Sequence, residues 1–269
     1  MYLLVGSAKA ALIDTGDVGD ANVMPLAQTV LSLLPGQADS KLPLVVLHTH
    51  GHLDHRSGDA QFQSLPGVHV VSADLDRLSQ DLRFIDWPNG ISQIDLGDRV
   101  IDAIPTPGHH VAHVVYYDRQ TALFFSGDFL LPGRLLIEDA DAEIASARRV
   151  ADFVKDRPVS HVLGGHIELD EAGDIFWGTS YHPNERRLDL NKEDLLALPD
   201  IVAGFNGFYN ERGGYLLINQ NRMLLIFGFT VLLAIIAVVL GVRRSWVRRK
   251  RRQHETGGRA RLPGLADRG

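Results

Sequence analysis

Residues 44–59 place an apolar run directly before a dense cluster of polar side chains. The stretch reads LVVLHTHGHLDHRSGD, and His50, His52, Asp54 and His55 fall within six positions. The apolar run predicts a strand that is covered on both faces of a sheet. Because α/β folds place their chemistry at the carboxyl end of buried strands, the cluster favours a fold that has such an edge.

The rest of the chain alternates between predicted strands and helices. Hydrophobic residues make up 45% of the sequence, enough for a sizeable core. This alternation indicates α/β layers. The predicted elements are hairpins at 1–16, 91–106 and 113–128, strands at 42–48, 68–73 and 159–166, and helices at 22–34, 138–156 and 191–200.

Imidazole and carboxylate groups are ligands for zinc and for iron-type divalent ions. One ion needs three or four ligands, so the cluster needs partners from elsewhere in the chain. Three other predicted strand ends supply candidates: His109 in TPGHH, Asp128 in FFSGD and His166 in LGGH. Seven such ligands suffice for two ions if one carboxylate bridges them. A site of this kind can bind a hydroxide and polarise a carbonyl or phosphoryl oxygen.

The motifs ALIDTG, THGHLDH, TPGHH, SGD and GGH occur in the order found in metallo-β-lactamase-fold hydrolases. Over about residues 2–170 the chain resembles that superfamily, and especially its glyoxalase II-like members. The resemblance implies an αβ/βα sandwich with the metal site at one edge of two packed sheets. Members usually carry further strands before YLLV, so we expect a fold that lacks its first strands.

The resemblance also implies a role for each candidate ligand. His50, His52 and His109 would bind the first ion, Asp54, His55 and His166 the second, and Asp128 would bridge them. Asp54 is also the expected catalytic residue. Zn²⁺ is the expected ion at both positions, and the same ligands accept iron or manganese.

Other residues around these motifs are not expected to be ligands. Asp14, in the DTG turn, is expected to support the ligands. His110 stands where the family often has Thr or Ser, and His113 could contact a ligand or face the substrate. The segment after GGH either lines the substrate pocket or packs the following helix against the sandwich, through Trp177, Tyr181, His182 and Arg186.

Several activities share this ligand pattern. The chain has no cysteine, which excludes β-lactamases with a cysteine ligand, and Asp128 argues against the β-lactamase branch that keeps HxHxDH. The pattern is more similar to thioesterases and lactonases. We therefore expect a dinuclear hydrolase that acts on a small-molecule ester, thioester or lactone, with a metal-bridging hydroxide as nucleophile. The alternatives are a mononuclear iron enzyme similar to persulfide dioxygenases and a non-catalytic metal-binding sensor.

Residues 223–242 contain no charged side chain, and a helix of that length matches the ~30 Å hydrocarbon thickness of a bilayer. Seven of the next ten residues, 243–252, are basic. Because positive charge marks the cytoplasmic side, the sequence predicts a single-pass membrane protein with a cytoplasmic C-terminus and an extracytoplasmic catalytic domain.

These features divide the sequence into four predicted parts. They are a metallo-β-lactamase-fold domain at 1–205, a juxtamembrane linker at 206–222, a transmembrane helix at 223–242 and a basic, disordered tail at 243–269. Of the net charge of −6, residues 243–269 contribute +8, so the remainder carries −14. Since nucleic-acid binding needs basic surface, we expect no nucleic-acid partner. Membrane lipid around 223–242 is the other expected partner, and the oligomeric state stays open.

Overall fold

The computed structural model of the protein describes residues 1–36, 41–174 and 182–257, of which 249–257 are described by their backbone alone. Two compact units are present, Met1–Gln220 and Asn221–Gly269. The strands are β1 (Tyr2–Val5), β2 (Ala10–Ile13), β3 (Leu44–Leu47), β4 (Val68–Val70), β5 (Ser92–Asp95), β6 (Val100–Pro105), β7 (Val114–Asp118), β8 (Leu123–Gly127), β9 (Arg134–Leu136), β10 (His161–Gly164), β11 (Asp189–Leu190), β12 (Tyr209–Arg212) and β13 (Tyr215–Ile218). The helices are α1 (Leu26–Leu33), α2 (Leu53–Arg56), α3 (Leu75–Asp81), α4 (Ala140–Val154), α5 (Lys192–Ala203) and α6 (Gln220–Gly257), with a 3₁₀ turn at Ser57–Gln61.

Three sheets organise the first unit. The first sheet has the order β1-β2-β3-β4, the second β11-β10-β8-β7-β6-β5, and the third β12-β13-β9. β2 and β3 run parallel in the first sheet, and β8 and β10 run parallel in the second. Parallel strands end at the same edge of their sheet, which brings the residues that follow them together.

The first and second sheets pack face to face with helices on their outer sides. Alternate residues of β2 show this arrangement, because successive side chains of a strand point to opposite faces. Ala11 and Ile13 join a core that also contains Tyr116 and Phe125 of the second sheet. Ala10 and Leu12 instead pack with apolar residues of α1. The outer face of the second sheet is covered in the same way by α4, α5 and part of the third sheet. The predicted mixed α/β sandwich is confirmed.

The folded unit extends further than the sequence indicated. The expected linker 206–222 instead contains the hairpin β12–β13, and β13 pairs with β9 in parallel. Tyr215 and Leu217 of β13 are buried in the core beneath α4 and α5. Each of these strands has only three or four residues, so the local pattern was too short to reveal a sheet assembled from two distant segments.

The basic segment after residue 242 also differs from expectation. The helix α6 continues to Gly257, whereas the sequence predicted a disordered tail from 243. Arginine and lysine are good helix formers, so a basic run can extend a helix that an apolar segment has begun. Residues 258–269 lie outside the described part of the chain.

Candidate metal centre

Five chain segments that follow strands converge on one edge of the sandwich. Asp14 follows β2, the HTHGHLDH segment follows β3, the loop 106–110 follows β6, Asp128 follows β8, and His166 lies two residues beyond β10. The backbone N–H of Val114 donates to the carbonyl oxygen of Thr49 at 2.7 Å, which joins the two sheets at this edge. The seven residues proposed from the sequence as ligands are therefore brought together.

The first cluster consists of three imidazoles. His50 Nε2 lies 2.9 Å from His52 Nδ1, and His109 Nε2 lies 3.2 Å and 3.1 Å from these two nitrogens. Ligands placed tetrahedrally at 2.0–2.1 Å from one zinc ion are about 3.3 Å apart. The three nitrogens thus have nearly the mutual spacing that a single bound ion requires.

The second cluster combines carboxylates with imidazoles. Asp54, His55, Asp128 and His166 each offer one ligand atom, and these atoms lie within 4.8 Å of one another. His55 Nε2 is 3.5 Å from Asp54 Oδ2 and 3.3 Å from Asp128 Oδ1. This mixed nitrogen and oxygen set suits zinc, iron or manganese.

Asp128 lies between the two clusters. Its Oδ2 is 3.1 Å from His166 Nε2 and 3.7 Å from His109 Nε2, while its Oδ1 faces His55. One carboxylate therefore contacts a member of the first cluster and two members of the second. This is the placement that a bridging ligand needs.

The outward-facing nitrogens of two candidate ligands are fixed by acceptors. His109 Nδ1 donates to the carbonyl oxygen of Leu136 at 2.7 Å, so the lone pair of its neutral ring lies on Nε2 and faces the cluster. His55 Nδ1 donates to Asp14 Oδ2 at 2.9 Å, which turns Nε2 toward Asp54 and Asp128. Acceptors of this kind orient metal-binding histidines and make them more basic.

Asp14 is held in place by a neighbour that the sequence analysis missed. Thr49 donates its backbone N–H to Asp14 Oδ1 at 2.7 Å, and its Oγ1 lies 2.9 Å from Asp14 Oδ2. Thr49 Oγ1 is also 3.2 Å from Nδ1 of both His50 and His55. Asp14 adopts a φ of 60°, which is uncommon for a residue with a side chain and marks a constrained position. The position of Thr49 between two histidines in the HTH motif was the only signal.

Buried carboxylates and imidazoles inside the site shift one another's pKa values. Burial disfavours the charged form of His55, but the carboxylates of Asp128 and Asp14 outweigh it and raise the pKa of His55 to about 10. Burial likewise opposes ionisation of Asp128, yet His166 and His55 hold the pKa of that carboxyl well below its usual range. The pKa of His50 is lowered by burial and by His113. Burial lowers the pKa of His109 as well, so the neutral forms of His50 and His109 are favoured, as metal binding requires, and Asp128 is kept anionic.

The residues at this edge fit the divalent ions that the ligand pattern implies. Asp128 Oδ1 and His55 Nε2 are buried and have no hydrogen-bond partner among the residues that the structure describes. Buried polar atoms without partners are costly, and they mark a place where a ligand is expected to satisfy them. A cation between these two atoms satisfies both.

Two glycines allow the strand ends to approach one another. A Cβ atom at Gly165 would clash with Asp128 Oδ1 and would lie 2.7 Å from His55 Cε1. Gly127 has a φ of 52°, and a Cβ there would lie 2.6 Å from the side chain of Thr49. The SGD and GGH motifs therefore need glycine because a side chain would occupy the site itself.

The remaining histidines near the motif have distinct surroundings. His113 is completely buried, its Nδ1 lies 2.8 Å from Thr106 Oγ1, and its ring stacks on that of His50 at 5.1 Å. Its ring packs against a candidate ligand and is shielded from solvent. His48 is buried, with Nε2 2.9 Å from Asp59 Oδ1. His110 is half-buried at the rim of the first cluster, where burial and His52 lower its pKa.

The proposed pocket wall is only partly described. Trp177 and Tyr181 lie outside the described residues. His182 Nδ1 lies 3.3 Å from Glu185 Oε1, and Arg186 is exposed.

A charged residue that the sequence analysis passed over lies beneath the TPGHH loop. Glu143 of α4 is buried, accepts a hydrogen bond from the backbone of His109, and has no hydrogen-bond partner for Oε2 among the described residues. Complete burial raises the pKa of Glu143 well above its usual range, and the bond from His109 offsets only part of this.

Comparison with known proteins adds independent information. Residues 1–166 match the family model described as the metallo-beta-lactamase superfamily. The acyl-coenzyme A thioesterase MBLAC2 of Gallus gallus is 23% identical over 246 residues, which cover 79% of this chain and 88% of that protein. The hydroxyacylglutathione hydrolase of Maricaulis maris (strain MCS10) is 34% identical over 101 residues, covering 37% of this chain and 39% of that protein. Among solved structures, a metallo-beta-lactamase from Hirschia baltica is 18% identical with a TM-score of 0.49, covering 74% of this chain and 84% of that one.

Proposed function

Because the chain belongs to the metallo-β-lactamase superfamily and is a metal-dependent hydrolase of that fold, we propose that it hydrolyses a small-molecule thioester. Two relatives with different names, an acyl-coenzyme A thioesterase and a hydroxyacylglutathione hydrolase, both act on thioesters and support this choice. The finer proposal is a dinuclear centre. His50, His52 and His109 would hold one ion and Asp54, His55 and His166 the other, with the carboxylate of Asp128 shared between the two sets.

The observation that carries this proposal is the close approach of three imidazole nitrogens beside an unsatisfied carboxylate. The nitrogens of the first cluster lie 2.9–3.2 Å apart, and Asp128 Oδ1 has no hydrogen-bond partner among the described residues. When bound, two divalent ions lower the pKa of a water toward neutrality and polarise the scissile carbonyl. Zn²⁺ is the preferred ion for imidazole and carboxylate ligands.

Neighbouring residues orient the side chains that are proposed to bind the ions. The acceptors of His55 and His109, Asp14 Oδ2 and the Leu136 carbonyl oxygen, fix the directions of the two rings. Asp54 is half-exposed, with a side-chain exposure of 50%, so its carboxylate lies at the solvent side of the second cluster. We propose Asp54 as the catalytic residue because it can contact both an ion and an entering water.

Metal content and thioester hydrolysis test the proposal together. Elemental analysis of the wild type is expected to give about two metal equivalents per chain, falling toward one in Asp128→Ala. EDTA should abolish hydrolysis of a panel of acyl thioesters, esters and lactones. Asp54→Ala should lower kcat/KM about 100-fold or more, because one substitution removes a ligand and the catalytic carboxylate. The exposed Asp17→Ala is the matched control and should leave both measurements unchanged.

Different results would point to the other classes of protein. Saturation with one iron and consumption of oxygen with a persulfide would replace the hydrolase proposal with a mononuclear dioxygenase. Stoichiometric metal binding without turnover of any panel member would favour a metal-binding sensor.

We also propose that α6 anchors the protein in a membrane. The segment Gln220–Arg248 has a mean hydropathy of 3.1 in its most apolar window, and none of that window is buried. Apolar side chains such as Leu225 and Phe227 are about 70% exposed, which is unfavourable in water and favourable in lipid.

The proposed orientation has a cytoplasmic C-terminus and an extracytoplasmic catalytic unit, because seven basic residues lie within 243–252 and only Arg222 precedes the span closely. A reporter that functions only in the cytoplasm, fused after Gly269, should be active. Activity of an export-dependent reporter at the same position would reverse the orientation.

A further inference from the structure

His110 occupies a position beside the first cluster without belonging to it. Its ring centroid lies 5.3 Å from that of His52 and 5.9 Å from that of His50. The three nitrogens that approach one another come from His50, His52 and His109. His110 is therefore not part of that group of mutually close nitrogens, yet its ring lies close enough to contact a molecule bound there.

The hydrogen bonding of His110 fixes which nitrogen carries its proton. The backbone N–H of Ala112 donates to His110 Nδ1 at 3.1 Å. A ring nitrogen that accepts a hydrogen bond bears a lone pair, so the proton of this imidazole lies on Nε2. Because the donor is backbone in the same loop, this tautomer is set by the local chain and does not depend on other side chains.

The Nε2 edge of His110 lies against the chain that connects two candidate ligands. Gly51 separates His50 from His52, and a Cβ atom at Gly51 would lie 3.2 Å from both Cε1 and Nε2 of His110. The close approach is therefore possible because residue 51 lacks a side chain. No acceptor for Nε2–H is found among the described residues, and the side chain is only half-buried.

A hydrogen-bond donor beside the proposed metal centre can assist hydrolysis of a bound substrate. Hydrolysis of a thioester places negative charge on the carbonyl oxygen as water adds, and donors aimed at that oxygen stabilise the transition state. We propose that His110 is a catalytic residue whose Nε2–H donates a hydrogen bond to the scissile carbonyl oxygen of the substrate. This inference rests on the proposed thioester hydrolysis and adds a residue outside the seven ligands.

Three variants separate hydrogen bonding from packing. His110→Gln places an amide N–H near the position of Nε2, His110→Leu keeps comparable bulk without a donor, and His110→Thr carries a shorter hydroxyl donor. Metal content and thermal midpoint should match the wild type in all three, since no ligand is altered. For His110→Leu we expect kcat and kcat/KM to fall together by 10-fold or more with KM unchanged, because the bond strengthens only in the transition state. His110→Gln should recover a substantial part of the loss.

A second readout does not depend on turnover. Octanoate, a carboxylate product of thioester hydrolysis, presents two acceptor oxygens to the same donor, and calorimetry of the zinc-loaded full-length protein measures its affinity. His110→Leu should weaken octanoate binding about 5-fold or more, and His110→Gln should restore it, since the variant loses a hydrogen bond to a charged group. Equal octanoate affinities and equal kcat values for wild type and His110→Leu would overturn the proposal. An inactive wild type that binds octanoate through His110 would instead refute only the thioesterase activity.

Discussion

At the scale of single residues, Glu143 makes the stability of the protein depend on pH, because its carboxyl group is buried beneath the TPGHH loop. Its carboxyl group is buried, and burial raises its pKa well above the usual range. The folded state therefore holds this proton at pH values where the unfolded chain has released it. By linkage, the free energy of unfolding then falls as pH rises from the unfolded pKa of Glu143 toward its folded pKa.

Glu143→Gln should remove this pH dependence while keeping an acceptor for the backbone of His109. With EDTA present, denaturant midpoints measured between pH 5 and pH 8 should fall less steeply in the variant than in the wild type. The other titrating groups are common to both proteins, so the difference isolates Glu143. Parallel curves over this range would show that the carboxyl group is not held protonated.

Gly165 illustrates how a residue without a side chain can control a site. A Cβ atom there would overlap Asp128 Oδ1 and approach His55. We expect Gly165→Ala to lower metal affinity about 10–100-fold without altering any ligand, because it displaces two of them. Titration with zinc and a competing chelator measures this. Gly228→Ala has open space around the added atom and should bind zinc as the wild type does.

At the scale of elements, α5 depends on its first turn. Asn191 accepts from the backbone N–H of Asp194, and the Asp194 side chain accepts from the backbone N–H of Asn191, which forms a capping box. Leu195 and Leu198 then pack into the core beneath the second sheet. The cap thus helps to place the apolar face of this helix.

Asn191→Ala should lower the free energy of unfolding by about 1 kcal/mol, since the backbone N–H of Asp194 loses its side-chain acceptor. Chemical denaturation measures the change. Asp200→Ala, an exposed substitution on the same helix, should stay within about 0.5 kcal/mol of the wild type. An equal loss in both variants would indicate general helix destabilisation and not a specific cap.

At the scale of the whole molecule, we expect the predicted membrane anchor to determine where the protein is located without affecting metal binding. Leu232→Arg combined with Ile236→Arg places two charges in the middle of α6, at a cost of about 2.5–3.5 kcal/mol each in a bilayer. We expect the variant to move from the carbonate-resistant membrane fraction to the soluble fraction while its metal content is kept. Leu196→Arg, on the exposed side of α5, should remain in the membrane fraction. A wild type that is itself extracted by carbonate would refute the anchor.

The sequence by itself determined the family, the sandwich class and the set of candidate ligands. These depend on short-range patterns, namely apolar strands and polar motifs placed immediately after them. The number of residues between the motifs was not needed for this prediction, because the carboxyl ends of parallel strands lie at the same edge of a sheet. The relation between the motifs and a shared edge could thus be inferred from their order in the chain, without any knowledge of contacts.

Only the tertiary structure decided which neighbours orient and constrain those ligands. Thr49, Glu143 and Leu136 contact His50, His55 or His109 through bonds that no local pattern encodes. The pairing of β9 with β13 joins segments about eighty residues apart, and neither strand is long enough to show a period. The tautomer of His110 and the need for glycine at 165 arise from interatomic distances. Such features depend on long-range packing. Packing is specified by the whole sequence acting together, and a single short motif does not contain it.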